Sequence, residues 1–212
     1  MIEVQHLSKQ FDGEWVLREL SATFEAGRTN LIIGRSGSGK TVLMKCLVGL
    51  LTADSGRVLY DGRDFFALPK KQLVSLRKEM GVLFQGAALF DAMNVLDNVL
   101  FPLRMFSPDG EAAQRDRAEE CLARVGMADA LHKMPAELSG GMQKRVGIAR
   151  AIALRPRYLF CDEPTSGLDP TTARTIDELI HSITHETSIT TVINTHDMES
   201  VRTIGETVLR LE

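Results

Sequence analysis

Eight consecutive residues have the types and spacing to hold a phosphate: Gly34, Arg35, Ser36, Gly37, Ser38, Gly39, Lys40 and Thr41. They match the pattern G-x-x-x-x-G-K-[ST]. Glycines at these spacings let consecutive N–H groups turn inward around an anion. The apolar run Leu31-Ile32-Ile33 before them reads as a buried strand. The stretch from Val42 to Val48 after them reads as a helix, whose first N–H groups and positive dipole end favour the same anion. Lys40 has the reach for β- and γ-phosphates, and the Thr41 hydroxyl suits Mg²⁺.

Two further stretches carry chemistry. Cys161-Asp162-Glu163-Pro164 closes the apolar strand 158–161 with adjacent carboxylates. In open α/β sheets ligands lie beyond the carboxyl ends of the strands, so these acids and the phosphate loop are expected at one rim. Strand alternation sends the two side chains opposite ways, which assigns Asp162 to the metal and Glu163 to the general base. In Leu138-Ser139-Gly140-Gly141-Met142-Gln143-Lys144-Arg145, Ser139 is a natural N-cap for a helix over 140–154. Two glycines in its first turn weaken a purely structural helix by roughly 1 kcal/mol each. They suit a ligand that must approach the backbone, a second phosphate-binding helix start. One nucleotide rarely needs two such cradles; two chains sharing nucleotides would use both.

The frame for these groups is legible in coarse outline. Alternation through the first thirty residues predicts two or three short antiparallel strands joined at Asp12-Gly13. Leu43, Leu47 and Leu50 are expected on one face of the helix after the loop. Gly56 to Tyr60 reads as a strand closed by Asp61-Gly62. Pro69 is expected to open a helix with Leu73, Leu76 and Met80 on its apolar face, followed by a strand at 82–84 and then Gln85. Residues 86–137 hold helical patterns and no convincing strand, with Asp109 expected to cap a helix that stops at Gly126. Asp169 and Pro170 open a helix with Ala173, Ile176, Leu179, Ile180 and Ile183 inward. Ile189 to Ile193 and Val208-Leu209 are the last strands. Strands alternating with helices after the phosphate loop argue a mainly parallel, helix-covered sheet.

The totals set bounds. With 212 residues, 44% hydrophobic and 25% charged, one substantial core is expected. A formal charge of −3 gives no support to a nucleic-acid binder. Cys46, Cys121 and Cys161 read as buried apolar thiols in a reducing compartment. No signal peptide is visible, and no apolar run approaches the ~20 residues that span a bilayer.

In order along the chain, Gly34–Thr41, Gln85, Leu138–Arg145, Asp162-Glu163, Ser166-Gly167-Leu168-Asp169 and His196 resemble the motifs of ATP-binding cassette (ABC) ATPases. The resemblance spans nearly the whole chain. It implies an α/β fold: a P-loop NTPase core with a mainly parallel sheet, an N-terminal antiparallel β part and an inserted α-helical subdomain. It implies that the whole chain is a single ABC ATPase domain, in which residues 1–85 and 153–212 make the core and about 86–152 the insert. It implies ATP and Mg²⁺, and a head-to-tail dimer with two ATP sandwiched between phosphate loop and opposing signature. On this resemblance Ser139, Gly140 and Gly141 join residues 34–41 in binding ATP, with Ser139 and Gly141 on the γ-phosphate held by the other copy. Asp162, Thr41 and Gln85 serve Mg²⁺, Gln85 also relaying the state of the site to the insert. Glu163 and His196 act on the γ-phosphate and its water, and Asp169 couples the two sites. Phe11 matches best as the aromatic that stacks on adenine, with Trp15 as runner-up.

Met142 stands where Gln is usual. With residues 84–91 and 94–99 it resembles the Mla/Mce-associated ATPases, which power phospholipid transport across the envelope of Gram-negative bacteria. That implies a peripheral protein at the cytoplasmic face of the inner membrane. Its partners would be integral-membrane permease subunits and an Mce-domain lipid-binding protein. The alternative is the ATPase of a lipoprotein-release or other lipid-directed exporter. A non-transport cassette for DNA repair or translation would bring a long coiled coil or a second cassette. A phosphate-loop kinase or GTPase would leave Leu138–Arg145 unexplained.

Two smaller features remain. His181 and His185 lie four apart on a helix, a metal-binding spacing, but no acid sits between them and a solvated face is expected. Phe101-Pro102-Leu103-Arg104-Met105-Phe106 fits a groove for a partner's helix and fits equally the core of a small helical subdomain.

Overall fold

The computed structural model describes residues 1–212. Asp12 and Gly13 both take positive φ and turn strand β1 (Ile2–Phe11) into β2 (Glu14–Phe24), two antiparallel strands joined where expected but longer than the two or three short ones that the alternation predicts. β4 (Ser55–Tyr60) pairs antiparallel with β1, and the short β5 (Arg63–Asp64) follows the Asp61-Gly62 turn, giving the order β2-β1-β4-β5.

The second sheet is parallel throughout. It comprises β3 (Thr29–Gly34), β6 (Met80–Leu83), β7 (Tyr158–Asp162), β8 (Thr190–Asn194) and β9 (Thr207–Leu211), ordered β6-β7-β8-β3-β9. Its three central strands β7, β8 and β3 are buried on both faces, and the period of two sorts their side chains between two cores. Leu31, Leu159, Cys161 and Ile193 enter one core; Ile32, Tyr158, Phe160 and Val192 enter the other. Helix α1 (Lys40–Leu47) and the antiparallel sheet fill the second core. The first is filled by α3 (Val95–Phe106), α4 (Glu111–Arg124), α5 (Gly140–Ile152) and α6 (Pro170–Thr187). Helix α2 (Lys70–Lys78) precedes β6, and α7 (Met198–Ile204) precedes β9.

Local expectations fail at four places, each for a local reason. Leu50 is 58% exposed because α1 ends at Leu47 and Gly49 turns the chain at φ +73°. Met80 belongs to β6, paired with Tyr158, rather than to the face of α2. Pro69 is the extended N-cap of α2, not its first helical residue. Asp109 does not cap α4: its Oδ2 accepts from the Ser107 hydroxyl at 2.7 Å, and Gly110 is the N-cap.

Candidate nucleotide site

β3 and α1 hold the phosphate loop between them. Gly34 ends β3 in register with Leu211, where a Cβ would come within 2.5 Å of both Leu211 O and Ser38 Oγ. Any side chain there would force the loop or the β9 backbone to shift. α1 starts at Lys40 behind Gly39, its N-cap, at φ 92°. A cleft of about 1130 Å³ opens over residues 34–37 and 39–41, with Gln85, Glu163 and His196 also lining it. Residues far apart in sequence therefore converge at one sheet rim. Lys40 Nζ donates to Gly34 O at 2.8 Å and Arg35 O at 3.0 Å, so the ammonium lies against its own loop. Ser38 Oγ is buried without a partner, a cost of about 1–3 kcal/mol that an anion's oxygen would relieve.

The two adjacent carboxylates have different partners. Asp162 Oδ1 accepts from Asn194 Nδ2 at 3.0 Å, while Glu163 Oε2 lies 2.8 Å from His196 Nδ1. Glu163 leaves the strand with φ 49°, a left-handed conformation that costs a non-glycine residue about 1–2 kcal/mol. Its N–H donates to Asn194 O at 3.0 Å, which helps hold that turn. Thr41 is exposed beside Lys40, Gln85 Nε2 donates to Ser166 Oγ at 3.4 Å, and Asn194 Oδ1 is a buried acceptor without a partner. This set of hard oxygen ligands around a phosphate loop fits Mg²⁺ carried by a nucleotide.

Ser139, Gly140, Gly141 and Asp169 do not line this cleft. Ser139 Oγ accepts from Met142 N at 3.3 Å as the N-cap of α5, and Ser139 and Gly140 are exposed. Gly141 has a packing reason that the sequence does not reveal. A Cβ there would meet Thr172 Cγ2 at 2.5 Å, so the glycine lets α5 lie against α6. Asp169 caps α6, accepting from the Thr171 and Thr172 N–H groups at 3.1 Å. The Thr172 hydroxyl and N–H hold its carboxyl below the usual range. Phe11 and Trp15, 42% and 50% exposed, flank the β1–β2 turn outside the cleft lining; Val16 lines it.

Two cations of α5 escape sequence reasoning. Lys144 is 5% exposed, and its Nζ donates to the carbonyls of Gln85 and Glu163, the latter at 3.2 Å. Burial pushes its pKa down. Arg150 donates to Ala88 O at 2.8 Å and Ala87 O at 2.7 Å. Helix α5 thus carries Ser139 at its start and grips both loops that place Gln85 and Glu163. Lys144 lies within the stretch Leu138–Arg145, but nothing local says that it is buried, and Arg150 lies outside every motif; a Lys and an Arg on a helix read as solvated charges.

The remaining candidates sort as follows. His185 Nε2 lies 3.2 Å from Glu206 Oε2, so the pair expected on a solvated face has a carboxylate neighbour from outside its helix. Leu103 joins the core while Met105 and Phe106 are exposed. All three cysteines are free and buried, and burial pushes Cys46 and Cys121 up to about 11.

The ABC transporter family model matches residues 17–166. The chain belongs to that family. The probable ribonucleotide transport ATP-binding protein mkl of Mycobacterium tuberculosis is 41% identical over 205 residues, covering 97% of the chain and 57% of that protein. The methionine import ATP-binding protein MetN of Clostridium acetobutylicum is 41% identical over 213 residues, covering 100% of the chain and 66% of that protein. The chain thus spans just over half to about two thirds of the length of these relatives. Among solved structures, the bacterial ABC transporter cassette MJ0796, a dimer, superposes with a TM-score of 0.90 at 30% identity, covering 100% of this chain and 94% of that one. The same cassette, dimeric in a post-hydrolysis state with ADP and Pi, superposes at 0.89. This chain is accordingly an ABC ATPase domain, an α/β cassette with one antiparallel and one parallel sheet. No helix in it is long and apolar enough to cross a membrane.

Proposed function

We propose that this cassette is a transporter's motor, in which two copies close head to tail around two ATP and pass that closure to integral-membrane permease subunits. The observation that carries the reading is the separation of two half-sites on one chain. Lys40, Glu163 and His196 share a cleft, and Ser139 and Gly140 are exposed outside its lining. In this reading the N–H groups of residues 34–41 cradle the phosphates, and Lys40 leaves its own carbonyls for the β- and γ-phosphates. Thr41, Asp162 and Gln85 hold Mg²⁺, which neutralises developing phosphate charge when bound. Glu163 accepts a proton from the attacking water. His196 keeps Nδ1 on Glu163, 2.8 Å away, and offers Nε2 to the γ-phosphate. Ser139 and Gly141 donate to the γ-phosphate held by the other copy, Asp169 couples the sites, and Phe11 stacks on adenine.

The cargo in this reading is phospholipid or another lipid, with an Mce-domain protein beyond the permease and the work done at the cytoplasmic face of the inner membrane. Met142, together with residues 84–91 and 94–99, supports it through the Mla/Mce resemblance. The relatives' names give ribonucleotides for mkl and methionine for MetN, so the test must separate cargoes. Specific ATPase activity of the purified chain should be low and rise with protein concentration, since two copies complete each site. Activity per molecule that stays flat on dilution would sink the head-to-tail reading. Membrane pull-down should recover a permease, and the resulting complex should be stimulated by phospholipid vesicles. Stimulation by methionine or ribonucleotides instead would reassign the cargo.

A further inference from the structure

His181 and His185 lie one turn apart near the C-terminal end of α6, and the fold brings Glu206, just before β9, against them. One ring nitrogen of each histidine and a carboxylate oxygen of Glu206 all lie within 4.8 Å of one another. We infer that His181, His185 and Glu206 form a binding site for a divalent transition ion, Zn²⁺ being the best match, separate from the nucleotide cleft.

The chemistry of the donors selects the ion. Two imidazoles and one carboxylate suit Zn²⁺ better than Mg²⁺ or Ca²⁺, which take oxygen ligands. Tetrahedral Zn²⁺ with bonds of about 2.0–2.1 Å sets its ligands roughly 3.3 Å apart. His185 Nε2 and Glu206 Oε2 already stand 3.2 Å apart, and the two rings lie with centroids 4.4 Å apart. A small rotation of a partly exposed imidazole closes the set. Three protein ligands then leave a fourth position to water.

The ligands are also oriented from behind, as those of metal sites usually are. Thr29, first residue of β3, donates its N–H to Glu206 Oε2 at 2.7 Å, and its Oγ1 is 3.4 Å from His181 Nδ1. Bound metal would clip α6 to the β3–β9 pair. The clip sits at the start of β3, and the phosphate loop sits at its other end. It therefore acts on stability without touching nucleotide.

The test uses the full chain, freed of metal by chelator and kept nucleotide-free. Titration with ZnCl₂ should give one site of micromolar affinity or better, and a rise in Tm of several degrees. Co²⁺ should give the intense visible bands of tetrahedral coordination. His185→Ala and Glu206→Gln should each weaken Zn²⁺ at least tenfold and leave ATP affinity unchanged. The amide oxygen introduced by Glu206→Gln still accepts from Thr29 N, and His185 is exposed, so both variants keep the fold. Binding no tighter than millimolar, or one-site binding untouched by both substitutions, would overturn the assignment. So would octahedral Co²⁺ spectra. Because none of these readouts uses hydrolysis, the result stands apart from the transporter reading.

Discussion

Around Gly34–Thr41 the chain supplies its own walls: Glu163 and His196 come over from β7 and the end of β8, Gln85 from the end of β6. Around Ser139 it supplies a capped helix start, a packed Gly141 and exposed backbone outside that cleft. The first region is held by strand ends that the parallel sheet aligns, so its geometry exists in one copy. The second is an exposed, capped helix start outside that cleft. The difference teaches that substitutions in the first region should change nucleotide binding already in a single copy, while those in the second should act only when two copies meet.

The largest effect tests the first region. Glu163→Gln keeps size and removes the proposed base, so turnover should fall about 10²–10⁴-fold with ATP affinity within twofold. Steady-state hydrolysis and fluorescent-nucleotide titration measure the two quantities. Near-normal turnover would remove Glu163 from the role. The same variant should accumulate an ATP-bound dimer on size-exclusion chromatography. Lys40→Ala should instead cost about 10–100-fold in ATP affinity, the worth of charge-assisted bonds to phosphate. In the second region, Ser139→Arg should leave affinity within twofold yet abolish the dimer that Glu163→Gln accumulates. If the double variant still dimerises, the two regions do not meet in the way proposed.

How much of this was visible beforehand follows the range of the interactions. The phosphate loop, the carboxylate pair and the two helix caps at Ser139 and Asp169 are local patterns, and their geometry emerges where the spacing puts it. The parallel sheet follows from alternating elements, and its two-sided burial from runs such as Tyr158-Leu159-Phe160-Cys161. Features that depend on distant partners were not legible. Gly141 is needed against Thr172, Lys144 reaches carbonyls 59 and 19 residues away, and Glu206 joins two histidines of another element. No local pattern encodes a helix-to-helix approach or where a buried cation ends.

Lys144 sharpens the comparison because it belongs to both regions. It rides on the helix that Ser139 opens, and it holds the backbone of Gln85 and Glu163. Lys144→Met fills similar space without the donors. It should lower kcat roughly tenfold with ATP affinity little changed, since small displacements of a base are costly. Lys144→Arg, which restores donors, should recover most of that loss. Parallel losses in kcat, affinity and Tm would mark Lys144 as structural only.

The smallest effect separates stability from chemistry. Asp177 on α6 is 3% exposed, its Oδ1 has no partner, and burial raises its pKa from 3.8 to about 6. Between those values the folded chain holds a proton that the unfolded chain has released. Stability should therefore fall as pH rises through that window, and the penalty should be complete above about 6. Its size is on the order of 3 kcal/mol. Asp177→Asn should flatten Tm against pH between 4 and 6 and raise Tm at pH 7 by a few degrees. Since Asp177 touches neither region, its variant should leave the dependence of hydrolysis on protein concentration intact. A change there would mean that α6, which Asp169 caps, transmits its packing to the interface, and the two regions would no longer be independent.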